Sequence, residues 1–165
     1  MKIIISDTGP ILTMAYVNRL DLLFSIYPDF FIPEGVFAEL RINLPKYSEV
    51  SATIIKEITP HGIEISHKEW LKDYEEGLGV REKECLILVK ETGINYLLID
   101  DAKARKFAES LGIICIGSLA IFIKAKELGL IREIRPIFYL IANSDRFFQK
   151  ELMNAILKKF GEEQL

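Results

Sequence analysis

Ile3-Ile4-Ile5 is a short β-branched run that stops at Asp7 and passes, through Gly9-Pro10, into a helical pattern. An unbroken run of this kind suits a strand buried on both faces, and Pro10 suits a first helical turn. The design recurs. Tyr96 to Ile99 ends in Asp100-Asp101 and is followed by a helix over Lys103 to Leu111, closed by Gly112. Ile113 to Ile116 is a third buried run, and Gly117-Ser118 leads from it into a helix over Leu119 to Leu128. Strands alternating with helices at this spacing call for an α/β fold with a mostly parallel central sheet covered on both faces. Open sheets of that class gather ligands beyond the carboxyl ends of their strands, so the two acid-terminated runs predict an acidic crevice there.

Between these units, helices are expected over Pro10 to Tyr16 and Arg19 to Ile26, with Asn18 between them, and a small strand over Phe30 to Ile32. Pro33 opens a helix with Val36, Phe37 and Leu40 on its apolar side. Glu39 flanks that stripe and reads equally as a solvated helix-end charge. Residues 41–80 are the least patterned. Tyr47 to Glu57 reads as a helix, Gly62 to Ser66 alternates like an edge strand, and the acidic stretch Asp73 to Gly79 reads as an exposed loop. His61 and His67 fit no common metal spacing and read as surface residues, and Trp70 reads as core packing ahead of base stacking. Arg81 to Thr92 is a helix stopped by Gly93, with Cys85, Leu88, Val89 and Thr92 on one side. Glu84 adjoins that stripe and Glu82 faces a different direction, but the helix start is hard to place in register, so Glu82 stands as a further candidate acid. Two amphipathic helices follow, Ile134 to Ala142 and Phe147 to Phe160, the second with Leu152, Ile156 and Phe160 as its stripe.

A chain of 165 residues is long enough for a full-sized core, and the simplest division is one domain over 1–165 with the helices of 132–160 packed on it. Half the residues are apolar and 27% are charged, which argues against disorder except at the C-terminal tip. The longest apolar runs, such as Pro136 to Ala142, are too short to span a bilayer, and Asp7 interrupts the isoleucines too early for a signal peptide. A cytoplasmic protein with no membrane association is therefore expected. Cys85 and Cys115 each sit in an apolar run and read as core thiols. The net charge of −3 gives no global attraction to nucleic acid, but acids that bind a divalent cation cease to count as free charge.

Asp7, Glu39, Glu84, Asp100 and Asp101 each lie at a strand end or beside a buried stripe. If the fold gathers them, protons or a divalent cation must relieve their repulsion. A set of oxygen donors without His or Cys suits Mg²⁺ or Mn²⁺. Such ions activate water and stabilise the extra charge of a phosphodiester displacement. That chemistry needs no serine, cysteine or histidine nucleophile, and the sequence suggests none.

Taken in order, Asp7-Thr8-Gly9-Pro10, Val36-Phe37-Ala38-Glu39-Leu40, Glu82-Lys83-Glu84-Cys85 and Leu97-Leu98-Ile99-Asp100-Asp101 resemble a PIN domain. The similarity covers nearly the whole chain, extends to Gly129-Leu130-Ile131 and Arg135-Pro136, and is greatest to a PIN-like branch associated with toxin–antitoxin pairs. It implies a three-layer α/β/α sandwich with extra C-terminal helices and, as in toxins of the VapC type, a Mg²⁺- or Mn²⁺-dependent ribonuclease. It implies metal contacts from Asp7, Glu84 and Asp101, with Asp100 an ambiguous neighbour, Glu39 a further acid of the set, and Thr8 a support for the first aspartate. Many PIN domains carry another acid after the fifth strand, where this chain has Gly117-Ser118. Ser118 can hold a metal-bound water but supplies no charge. RNA, a small antitoxin protein and a second copy in a homodimer are the partners the resemblance implies.

A nuclease also needs positive charge along the approach to its acids. Lys103, Arg105 and Lys106 follow Asp101, and Arg81 precedes Glu84; each also reads as part of an ordinary solvated helix face. Two functions stay in view: a metal-dependent endoribonuclease, as the toxin of such a pair, and a non-catalytic PIN scaffold that binds RNA or a protein. A phosphoryl-transfer enzyme of the haloacid-dehalogenase type fits poorly, because its second aspartate would fall at Gly9. A receiver domain lacks its lysine after the fifth strand.

Overall fold

Five short strands lie side by side: β1 (Ile4–Ser6), β2 (Phe30–Pro33), β3 (Gly62–Ile63), β4 (Tyr96–Leu98) and β5 (Ile114–Ile116). Their order is β3-β2-β1-β4-β5 and every neighbouring pair is parallel. The computed structural model describes residues 2–74 and 76–165; Met1 and Glu75, the latter within the predicted loop 73–79, lie outside the described residues. Ile5 faces Phe31 of β2 on one side and Leu97 of β4 on the other. All three β1 residues are buried, which is why the isoleucine run is unbroken by polar residues. The chain builds outward from β1 through β2 to β3, then returns to lay β4 and β5 on the opposite flank. The sheet order thus reverses between β1 and β4, the place where parallel sheets open a crevice.

The helices are α1 (Thr8–Tyr16), α2 (Asp21–Ile26), α3 (Glu34–Tyr47), α4 (Ser51–Ile58), α5 (Val80–Thr92), α6 (Ala102–Ser110), α7 (Ser118–Glu127), α8 (Arg135–Ala142) and α9 (Lys150–Lys159). They flank the sheet to give the expected three-layer α/β/α sandwich. Asn18 turns the chain between α1 and α2 at φ +54°, a left-handed conformation that Asn tolerates better than most residues. Gly93 ends α5 at φ +72°, where a Cβ would be strained. One cluster of buried side chains runs from Ile4 to Leu157, so Phe138, Ile141, Met153 and Leu157 of the C-terminal helices share the core beneath the sheet.

Several local expectations are corrected. The helix read over 47–57 is broken between Tyr47 and Ser51, so that α3 runs past Pro45 and α4 starts afresh. The edge strand is only Gly62–Ile63. Helix α9 begins at Lys150, leaving Phe147 to Gln149 outside it, and its buried stripe is Met153 and Leu157 while Leu152 is half-exposed. The C-terminal tip is tied down: the Glu162 carboxylate accepts hydrogen bonds from the Ile134 and Arg135 amides at 2.9 and 2.7 Å and pairs with Lys126. His61 stacks on Phe30, and Trp70 lies between the His67 ring and the Lys90 ammonium. Both cysteines are buried and free. Among the described residues, no helix is long and apolar enough to cross a membrane.

Candidate active site

A cleft of about 1100 Å³ opens over the carboxyl ends of β1 and β4. Each strand contributes the residues that follow its last ladder position: Asp7 after β1, and Asp100 and Asp101 after β4. The Asp7 amide donates to Leu98 O at 3.0 Å, and the Ile99 amide donates to Ile116 O at 2.8 Å, so hydrogen bonding continues past the strands into the floor of the cleft. Helix α5 packs against β1, β2 and β4. Its Cys85 thiol reaches the Ser6 carbonyl (3.8 Å) and is held well above its ordinary pKa by burial and then by the Asp7 charge. The start of the same helix, Gly79 to Glu82, lines the cleft.

Asp7 is the most perturbed acid in the cleft. Only 6% of its surface is exposed, and its Oδ1 is buried without a hydrogen-bond partner among the described residues. Burial first, then the charge of Glu82, and further the charges of Glu39 and Asp100 push its pKa up to about 7, against a smaller opposing pull from the Thr8 amide. The neighbours are each positioned by a named contact. The Thr8 hydroxyl donates to Glu39 Oε2 at 2.7 Å, joining α1 to α3, and Arg81 Nε lies 4.0 Å from the same oxygen. Ser118 donates through its amide to Asp100 Oδ1 (2.7 Å) and through its hydroxyl to Asp100 Oδ2 (2.6 Å). Burial raises the Asp100 pKa, opposed by those two bonds and by Arg146 and Arg105. Asp101 caps α6, its Oδ1 accepting the Ala104 amide at 2.8 Å.

The expected residues divide into two groups. Asp7, Thr8, Glu39, Arg81, Asp100, Asp101 and Arg105 line the cleft. Glu84, Ser118, Lys103 and Lys106 are outside its lining. Glu84 lies two residues along α5 from Glu82, on another side of the helix, and both its oxygens accept from Arg81 Nη1 at 2.7–2.8 Å. These groups fill the space beside Gly35, where a Cβ would come within 1.8 Å of Arg81 Nη1 and 2.1 Å of Glu84 Oε2. Glu82, expected to face elsewhere, is the α5 acid that lines the cleft and acts on Asp7. Thr8 supports Glu39 through its hydroxyl and Asp7 only through its amide. The Lys103 ammonium lies over Gly77.

Arg146 and Phe147 are among the cleft residues that the sequence reading did not place at the site. Arg146 reaches back from beyond α8 to donate to Thr13 Oγ1 (3.0 Å) and Gly9 O (3.2 Å), and Phe147 stands beside it, 93% exposed. No local signal marks either. A second pocket, of about 930 Å³, holds the Arg19–Asp21 ion pair beside α4 and contains none of the gathered acids.

The donors suit a hard divalent cation in kind: oxygen acids only, with one buried carboxylate oxygen unpartnered. Their present arrangement is not a ready cage. Among the described residues, no three His, Cys, Asp or Glu side chains are disposed to hold a metal ion as they stand. Glu84 is paired with Arg81, Asp100 with Ser118 and Asp101 with the Ala104 amide.

The parallel α/β/α sandwich sets a buried aspartate after its first strand opposite acids after its fourth strand and from two flanking helices, an arrangement consistent with a nuclease-type scaffold. A family model described as a PIN domain matches residues 3–162, and the chain belongs to that family. PIN domains are generally nucleases that use divalent metal ions. No curated protein and no solved structure matches the chain.

Proposed function

We propose that this PIN domain is a Mg²⁺- or Mn²⁺-dependent endoribonuclease whose ion is held by Asp7, Glu82 and Asp101. The observation that carries the reading is the Asp7 carboxylate, buried with an unpartnered oxygen and surrounded by other acids. A buried, unpartnered acid is destabilising unless a cation or proton compensates it. Bound there, a divalent ion would activate water and neutralise charge on the phosphodiester. The chain's own residues then have separable tasks. Thr8 and Arg81 hold Glu39 at the rim, and Ser118 holds Asp100 behind Asp7. Arg105 and Arg146 bring positive charge to the cleft, where phosphate contacts would position a strand without reading its sequence. Glu84 is an alternative ligand only if Arg81 releases it.

A homodimer and control by a small antitoxin protein are part of the same proposal, resting on the family resemblance. A second reading, a PIN scaffold that binds RNA or protein without cutting, is favoured by the structural pairing of Asp100, Asp101 and Glu84.

Mn²⁺ calorimetry separates the two. The nuclease reading expects saturable binding by the wild type, loss of binding in the variant carrying both Asp7→Asn and Asp101→Asn, and RNA cleavage that depends on the ion. A folded wild type that takes up no Mn²⁺ overturns it in favour of the scaffold.

A further inference from the structure

We propose that Phe147 is the base-stacking platform of the cleft, a positioning residue that holds an unpaired base of the bound RNA strand; the inference rests on the nuclease reading above. An aromatic side chain 93% exposed forgoes a favourable burial that most Phe residues obtain, and this one stands on the lip of the acidic cleft. Side chains on both sides of the ring are held in place. Before it, Asp145 accepts from the Tyr47 hydroxyl at 3.1 Å, and Arg146 is bonded to Thr13 and Gly9. After it, Phe148 packs against the core. The ring is therefore presented from a held segment, and stacking would restrict little beyond two side-chain torsions.

The charges beside the ring select the occupant. Arg146 and Arg105, the latter also paired with Glu109, line the same cleft as the acids around Asp7, so a strand whose phosphates meet the guanidinium groups would bring a base to the ring. Aromatic rings beside positive groups are how single-stranded nucleic acid is held without strong sequence preference. In a duplex the bases are stacked on one another and unavailable to an isolated ring, so duplex RNA serves as the control that Phe147 does not engage.

The test measures binding of oligoadenylate, oligouridylate and an RNA duplex in EDTA, so that neither metal nor cleavage enters. Phe147→Ala should weaken oligoadenylate binding by about tenfold and flatten the preference for adenine over uracil, with duplex binding unchanged. Phe147→Trp and Phe147→Tyr should restore both, whereas Phe147→Leu, apolar without a π face, should not. The salt dependence of binding should be the same in all variants, since no phosphate contact is removed. Equal binding by wild type and Phe147→Ala, alongside Mn²⁺-dependent cleavage, overturns the inference and leaves the nuclease reading standing. A change from dimer to monomer in Phe147→Ala with RNA affinity unchanged also overturns it and assigns the ring to a contact between copies. Failure of the wild type to bind or cut any RNA removes both.

Discussion

Ser118 gives both its amide and its hydroxyl hydrogen to the Asp100 carboxylate, at 2.7 and 2.6 Å, closing the end of β5 onto the end of β4. The position that in many PIN domains carries another acid is therefore a clamp on a neighbouring one. Ser118→Ala should remove one charge-assisted hydrogen bond and leave Asp100 Oδ2 under-satisfied, lowering stability by about 1–3 kcal/mol. Urea unfolding at neutral pH measures this, and an unchanged midpoint would contradict the clamp.

Asp7 makes the metal-free protein sensitive to pH. Its carboxyl titrates near 3.8 in an unfolded chain and at about 7 in the fold. Between those values the folded state keeps a proton that the unfolded state has released. Stability therefore declines as pH rises through that window, and the loss is complete above about 7. The expected loss is on the order of a few kcal/mol. In EDTA, Asp7→Asn should show a flatter profile and be the more stable protein at pH above 7, as read by denaturant midpoints on either side of that window.

Divalent ions should reverse that dependence. Under the proposed function Mn²⁺ would bind the ionised cluster, so its stabilisation should grow with pH, following the excess of ligand over its dissociation constant. Glu82→Gln should abolish most of the rise in Tm, while Glu84→Gln should keep it. Equal losses in the two variants would mean that Arg81 lets Glu84 swing into the cleft.

The main chain predicts its own exceptions poorly where packing decides them. The isoleucine run, the acids that end it and the repeat at Tyr96–Asp101 were legible because apolar runs and their punctuation are local. The choice between Glu82 and Glu84 was not, because α5 buries five successive residues, Cys85 to Val89, and has no clean stripe to set its phase. In α9 the same difficulty displaces the stripe by one residue, since Leu152 lies at the mouth of the cleft instead of in the core. Arg146 was illegible for a different reason. Its partner Gly9 is 137 positions away, and only the docked fold brings them together.

Glu162 should be a stability determinant despite its place near the chain's end. Burial would raise its pKa, but the Ile134 amide, the Lys126 ammonium and the Arg135 amide together hold it below the usual carboxylate range. Its contribution is thus present above the ordinary glutamate range and is lost as pH falls through the lowered folded value. Glu162→Gln should destabilise by about 1–3 kcal/mol at neutral pH and by less in acid. Thermal unfolding at the two pH values checks the sign.

The bond from Arg146 to the carbonyl of Gly9 has a bearing on when the cleft can exist. Asp7 precedes in chain order one wall of its own cleft, since Arg146, Phe148 and Leu152 are made only after both strands of the floor. A nascent chain emerges with its amino end first. A nascent chain that has released only its five strands therefore carries an acidic floor lacking a side, and the cleft is completed only once the segment from Arg146 to Leu152 has emerged.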